Sequence, residues 1–296
     1  MKQGLEIGGI TVRDVEHHAA FHYEAIHTPN AESLKKDNKN LLVHYADLII
    51  KRKNELSILS KSLAVDTYFS KKTYVDKVLP ETVFEIVSRL RDDSVLFYIH
   101  DEKLTGKRGR PKLYAGKVDI KNPAMNHFRI VHQDAKIRIF STIVFSKALD
   151  RKIKLALVQY LEEDIPKITS TKLYFSTDLD LLAWYIIKYY KSRFQIEFIY
   201  RNTNQFTGLE QCQAGSEEKL YFHMNTALTT VSIAKSVHYL SIPKQEREFF
   251  SMANMRTLYR NQLLLERFFD VFGIDHNTHK SNPKVKKLHY FGSIAA

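Results

Sequence analysis

The hydrophobic pattern of this chain changes period twice, and those changes limit the fold more than any single motif does. Over the first hundred residues strand-like and helix-like segments are interleaved. "GLEIGGITVRDVE" and "HHAAFHYEAIHTP" read as two strands, the second closed by the turn signal Thr28-Pro29-Asn30. Residues 40–61, "NLLVHYADLIIKRKNELSILSK", carry apolar residues at helical spacing with basic residues between them, which predicts a surface helix. "SLAVDTYF" predicts a short strand ending in Asp66, "SKKTYVDKVLP" a helix, and the β-branched, alternating "TVFEIVSRL" another strand. From about His100 to Thr171 the texture is β-rich, with "KIRIFSTIVF", "IKLALVQYL" and "KLYFS". After Asp178 it is helical. One helix is expected from about Asp180 to Asn204, others over 219–240 and 254–272, and a loose basic tail after them. The class is α/β with mixed strand directions.

Lys and Arg number 45 against 33 Asp and Glu in 296 residues, a net charge of +12, which points to a polyanionic partner such as nucleic acid. A basic protein with no such partner is the plain alternative. The single Cys212 excludes an intramolecular disulfide and a thiolate metal cage, and fits a reducing cytoplasm. No apolar run approaches the ~18–20 residues of a membrane span, and "MKQGLEIGG" has no secretory pattern. The expected location is therefore the cytoplasm, without a membrane partner.

The richest stretch chemically is "YYKSRFQIEFIYRNTNQF", Tyr189 to Phe206. On one continuous helix Tyr190, Arg193, Glu197, Arg201 and Asn204 fall on a single stripe, with Ile187, Phe194 and Phe198 beside it. That stripe reads either as part of a site or as a buried Arg–Glu pair with a space-filling tyrosine. Asp66 lies where open α/β sheets present ligand-binding acids, at the end of a strand, although a helix cap explains it as well. Asp178, in "FSTDLDLL", reads as a cap. Converging carboxylates need divalent cations, and hard oxygen ligands select Mg²⁺ or Mn²⁺. Two such ions ~3.5–4 Å apart can activate a water or a 3′-hydroxyl for phosphodiester displacement. Arg193 and Arg201 could then hold phosphate.

Tyr190-x2-Arg193-x3-Glu197 resembles the core of the Tyr-Arg-Glu-Lys signature of DDE-type insertion-sequence transposases. "STDL", "GLEQCQ" and "FHMN" around it, and "VDTYFSKKTYV", "IVSRLRDDSVL" and "GKRGRPKLYAGK" upstream, are similar to motifs of the same group in the same order. The resemblance implies a ribonuclease-H-like catalytic core with a β-strand insertion and a helical C-terminal part. Residues 1–100 would hold the first part of the core and 101–175 the insertion. Residues 176–296 would hold the catalytic helix, further helices and a basic tail. It also implies Mg²⁺-dependent nicking and strand transfer on double-stranded DNA at transposon ends and target, in the bacterial cytoplasm and nucleoid, by a chain that can act as a homodimer. Asp66 and Glu197 would be catalytic metal ligands. Arg193 would contact phosphate or position Glu197, and Tyr190 would pack beside the site.

The sequence departs from that pattern twice. Asn204 stands where the signature carries its lysine, so the long-range attraction of an ammonium for phosphate is missing there. The group's first catalytic Asp lies on a strand just before one resembling "GLEIGGITVRD", and this sequence begins at that second strand. Asp14 does not match the position and is not assigned. The expectation is an N-terminally truncated frame, or one started at an internal Met, that lacks the first core strand. It is either an active transposase or an inactive DNA-binding remnant. Without that strand the sheet either stays split, leaving an exposed edge, or takes another segment into the slot. Arg108 and Arg110, in "GKRGRPK", resemble the core of minor-groove AT-hooks, with a solvated basic loop as the alternative. His17, His18, His22 and His27 lack the spacing of a zinc site.

Overall fold

The computed structural model describes residues 6–100, 114–162, 165–247, 249–275 and 282–294. They form a mixed α/β structure in two compact units, residues 29–193 and residues 1–28 with 194–296. Arg108 and Arg110 lie outside the described residues.

The unit of residues 29–193 opens with helices α1 (Ala31–Lys36), α2 (Leu41–Lys51) and α3 (Lys53–Leu59). The helix expected over 40–61 is thus two helices, interrupted at Arg52. Asn30 and Asn40 cap α1 and α2 through their side-chain oxygens, each accepting an amide three residues on. Strand β3 (Ser62–Ala64), helix α4 (Lys72–Glu81) and strand β4 (Glu85–Arg89) follow, and β3 pairs in parallel with β4. Asp47 of α2 takes ion pairs from both Lys39 and Lys77, each at 2.7 Å, which ties α2 to α4.

The β-rich stretch does not form a separate sheet. β5 (Leu96–Ile99), β6 (Tyr114–Lys117), β7 (Arg129–Gln133), β8 (Ile137–Ser146), β9 (Arg151–Glu162) and β10 (Ile165–Ser176) join β3 and β4 in one sheet of eight. Its order is β3-β4-β10-β9-β8-β5-β6, with β7 also on β8, and every pairing except β3–β4 is antiparallel. In β9 the run Leu155 to Val158 is buried without alternation, as in a strand covered on both faces. One cover is α5 (Ala183–Ser192), whose Ala183, Ile186 and Ile187 pack into a core with Val87, Ile139, Ala156, Val158 and Tyr174.

In the other unit, β1 (Ile7–Asp14) and β2 (Ala19–His27) pair as an antiparallel hairpin, which is a sheet of its own. Among the described residues no third strand joins the hairpin, and β3 is an end strand of the larger sheet. Helices α6 (Gln195–Phe206) and α7 (Glu217–Ser241) pack on β2, burying Ala20, Ala25, Ile199 and Leu228 together. Gly9 admits α6: a Cβ there would stand 2.2 Å from the Tyr200 hydroxyl. Gly208, at φ +73°, turns the chain after α6 in a conformation that glycine adopts without strain.

Side chains of α7 take the place of a third strand along β2. Asn225 accepts the Ala25 amide at 2.8 Å and donates to the Ala25 carbonyl at 2.9 Å. Ser232 Oγ accepts the His22 amide at 2.7 Å, and Lys235 Nζ donates to the Ala20 carbonyl at 3.0 Å. Backbone groups that an edge strand would expose are thereby satisfied.

Helix α8 (Met252–Val271) and a short helix α9 (Pro283–His289) end the unit. They correct the expectation of a loose tail. Asn261 of α8 donates to the carbonyls of His289 and Phe291, and Asn254 exchanges two hydrogen bonds with Ile294, so the segment is docked on α8.

Candidate functional site

The helix expected from Asp180 to Asn204 is two helices. α5 ends at Ser192 and α6 begins at Gln195, with three-residue turns between them: the Arg193 amide donates to the Tyr190 carbonyl and Glu197 to Phe194. The buried Ser192 hydroxyl donates to the Tyr189 carbonyl at 2.8 Å, a local bond that competes with the helical ladder. The single stripe is therefore divided. Tyr190 and Arg193 belong to the unit of residues 29–193, whereas Glu197, Arg201 and Asn204 belong to the other.

In the first of these units, Asp66 follows β3 in extended conformation, where the Val65 amide still donates to the Val87 carbonyl. The capping reading of Asp66 is observed, and its carboxylate also meets a cation. One carboxylate oxygen accepts the Tyr68 amide at 3.1 Å and caps the short turn Thr67–Phe69. The other lies 3.2 Å from an Arg193 guanidinium nitrogen. The same guanidinium sits 5.6 Å from the centre of the Tyr190 ring, and the Tyr190 hydroxyl is 3.3 Å from the Thr67 hydroxyl. Asp66, Thr67, Tyr190 and Arg193 thus form one connected cluster, with the Tyr190 ring packed 5.2 Å from that of Tyr174. The segment is pinned from beneath, because Ser70 Oγ lies 2.7 Å from Ser88 Oγ and the buried Ser88 donates to the Val65 carbonyl. The pair is partly open to solvent, with 44% of the Asp66 side chain and 28% of Arg193 exposed. Arg193 Nε is buried without a hydrogen-bond partner.

Asp178 is not a helix cap. Its carboxylate accepts the Asp180 amide at 2.9 Å in a turn before α5, and Leu182 occupies the capping position with no side-chain bond.

On α6, Glu197, Arg201 and Asn204 are all exposed, and their spacing keeps them on one face. Glu197 stands in the first turn, where the helix dipole favours an anion. The Arg201 guanidinium lies 4.7 Å from the Phe198 ring centre. The opposite face carries the buried Ile199 and Thr203.

Sequence reasoning missed Asn225 and Lys235. Asn225 lies in "FHMN", and its amide also lies 2.9 Å from His22 Nε2, where burial pushes the His22 imidazole below its ordinary pKa. Lys235 is buried, and its pKa is pulled down to about 8 by loss of solvent. A lone lysine in a mostly apolar helix stretch, "SIAKSVHYL", was the available signal.

Among the described residues no group of three or more His, Cys, Asp or Glu side chains is placed to hold a metal ion. Asp66 offers one carboxylate, and Arg193 already faces it. No described helix is long and apolar enough to cross a membrane. Comparison of the chain with protein-family models and with curated proteins returned no match.

Proposed function

We propose that this chain is a DDE-type insertion-sequence transposase of the Tyr-Arg-Glu-Lys signature group, acting on double-stranded DNA at transposon ends. The observation that carries the reading is the cluster at the end of β3. Of the signature residues, Arg193 pairs with Asp66, the acid that the same resemblance assigns, and Tyr190 stands beside the pair against Arg193 and Thr67. Three further features support it. The β3–α4–β4 unit with Asp66 just past the first strand suits a ribonuclease-H-like core. The β-rich stretch between β4 and α5 corresponds to the expected insertion. The charge of +12 suits a DNA partner.

The group's reaction is phosphodiester hydrolysis and strand transfer with Mg²⁺ or Mn²⁺, and Asp66 and Glu197 would be this chain's contribution to the ion site. As its side chain stands, Asp66 does not offer a free carboxylate to such an ion, because Arg193 already faces it. That misfit favours a second reading, in which the chain holds transposon-end DNA without cutting it.

Incubation with end duplex and Mg²⁺, with gel retardation and strand cleavage read in parallel, separates the two. Product that disappears in both Asp66→Asn and Glu197→Gln supports the transposase reading. Retention without product supports the binding reading. Product unchanged in Glu197→Gln overturns the assigned site, and neither retention nor product overturns both.

A further inference from the structure

In the unit of residues 1–28 and 194–296, a cleft of about 620 Å³ opens between the β1–β2 turn, α6, α7 and the start of α8. Among the described residues its lining contains Arg201, Lys235, His17 and His18 and no carboxylate. His17 is engaged from outside the lining by Asp14, at 2.7 Å. Lys235 is 5% exposed and has no ion-pair partner among the described residues. One of its protons goes to the Ala20 carbonyl, and its ammonium lies 5.6 Å from the Phe250 ring centre. A buried cation with no anion beside it among the described residues, at the wall of a cleft, is a place where a ligand's negative charge would be welcome.

The remaining walls narrow the ligand. Aromatic rings from α6 and from the segment before α8 face the space, among them Phe198, already beneath the Arg201 guanidinium, and Phe249. Phe249 is 91% exposed, so its ring face is open to a ligand. Gln195 and Asn202 also line the cleft, and neither side-chain amide makes a hydrogen bond among the described residues. Cations match a phosphate, flat rings match the face of a base, and free amides match the donors and acceptors at its edge. An acidic peptide would use the cations alone.

We propose that this cleft binds an unpaired nucleotide of single-stranded DNA, with the base against Phe198 and Phe249 and the phosphate between Arg201 and Lys235. The choice of DNA over RNA rests on the reading proposed above; the nucleotide chemistry does not.

Fluorescence anisotropy of the full chain tests it with three probes: a short oligothymidylate, an abasic strand of equal length, and a polyglutamate peptide. Phe249→Ala removes an exposed ring, so folding is unaffected. It should weaken oligothymidylate binding about tenfold, the scale of one lost base–aromatic stack. The abasic strand should bind more weakly and be blind to the substitution. Oligothymidylate affinity unchanged in Phe249→Ala overturns the proposal, as does polyglutamate binding equal to that of oligothymidylate. Duplex retention with no Phe249 effect refutes the cleft alone. A Phe249 effect without duplex retention refutes the transposase reading and leaves the cleft standing.

Discussion

Lys235 has the most displaced chemistry of any described lysine, because burial disfavours its ammonium and no carboxylate offsets that cost. Its folded pKa is about 8, below the ordinary value of 10.5, so between those values the unfolded chain binds the extra proton. Stability from this group is therefore full above pH 10.5 and is lost as pH falls through 8. Urea unfolding should show wild type gaining on Lys235→Met by about 3 kcal/mol from pH 7 to alkaline pH. A constant gap across that range would contradict the buried, unpaired ammonium. Asp66, by contrast, is half exposed. Its half-exposed pair with Arg193 should contribute no more than about 1 kcal/mol, so Asp66→Asn should unfold at nearly the wild-type urea midpoint. A large loss of stability would mean that the cluster is structural, and any lost activity would then say little about chemistry.

Elements were legible in the sequence where period and turn chemistry agreed. The strands at 7–14 and 19–27, the strands of the β-rich stretch, and helices α4, α7 and α8 all lie where their patterns put them. The breaks were not legible. Helical spacing runs unchanged through Arg193 and Phe194, and what divides the helix is the Ser192 hydroxyl bond and the three-residue turns, which spacing does not record. The tail failed for a similar reason: its lysines read as solvated, but its backbone carbonyls are held by two asparagines of α8. Nor could alternation reveal that α7 closes the edge of β2 with side chains. That edge sets a prediction. Asn225→Ala leaves both polar groups of the buried Ala25 without their partner and should cost about 3 kcal/mol in urea unfolding. A cost below about 1 kcal/mol would mean that water replaces the amide and that the edge needs no clasp.

At the scale of the whole molecule, the two compact units carry different parts of the signature. Asp66, Tyr190 and Arg193 are in one; Glu197, Arg201 and Asn204 are in the other. The cluster around Asp66 could be foreseen only as separate residues, since nothing in the order of the chain states that β3 and the end of α5 meet. In the proposed reading, the excess of basic residues would add a long-range, salt-sensitive attraction to DNA. Affinity for any duplex should therefore fall linearly on a log–log plot as salt rises, while preference for the correct ends should persist. The most direct measurement is competition binding at about 0.15 M salt. A duplex carrying the terminal repeats that the proposed reading expects on either side of this reading frame is set against an unrelated duplex of equal length and composition. A transposase of this group should retain its own ends at least about tenfold more tightly than the unrelated duplex. Equal retention of the two, or retention of neither, would contradict the account.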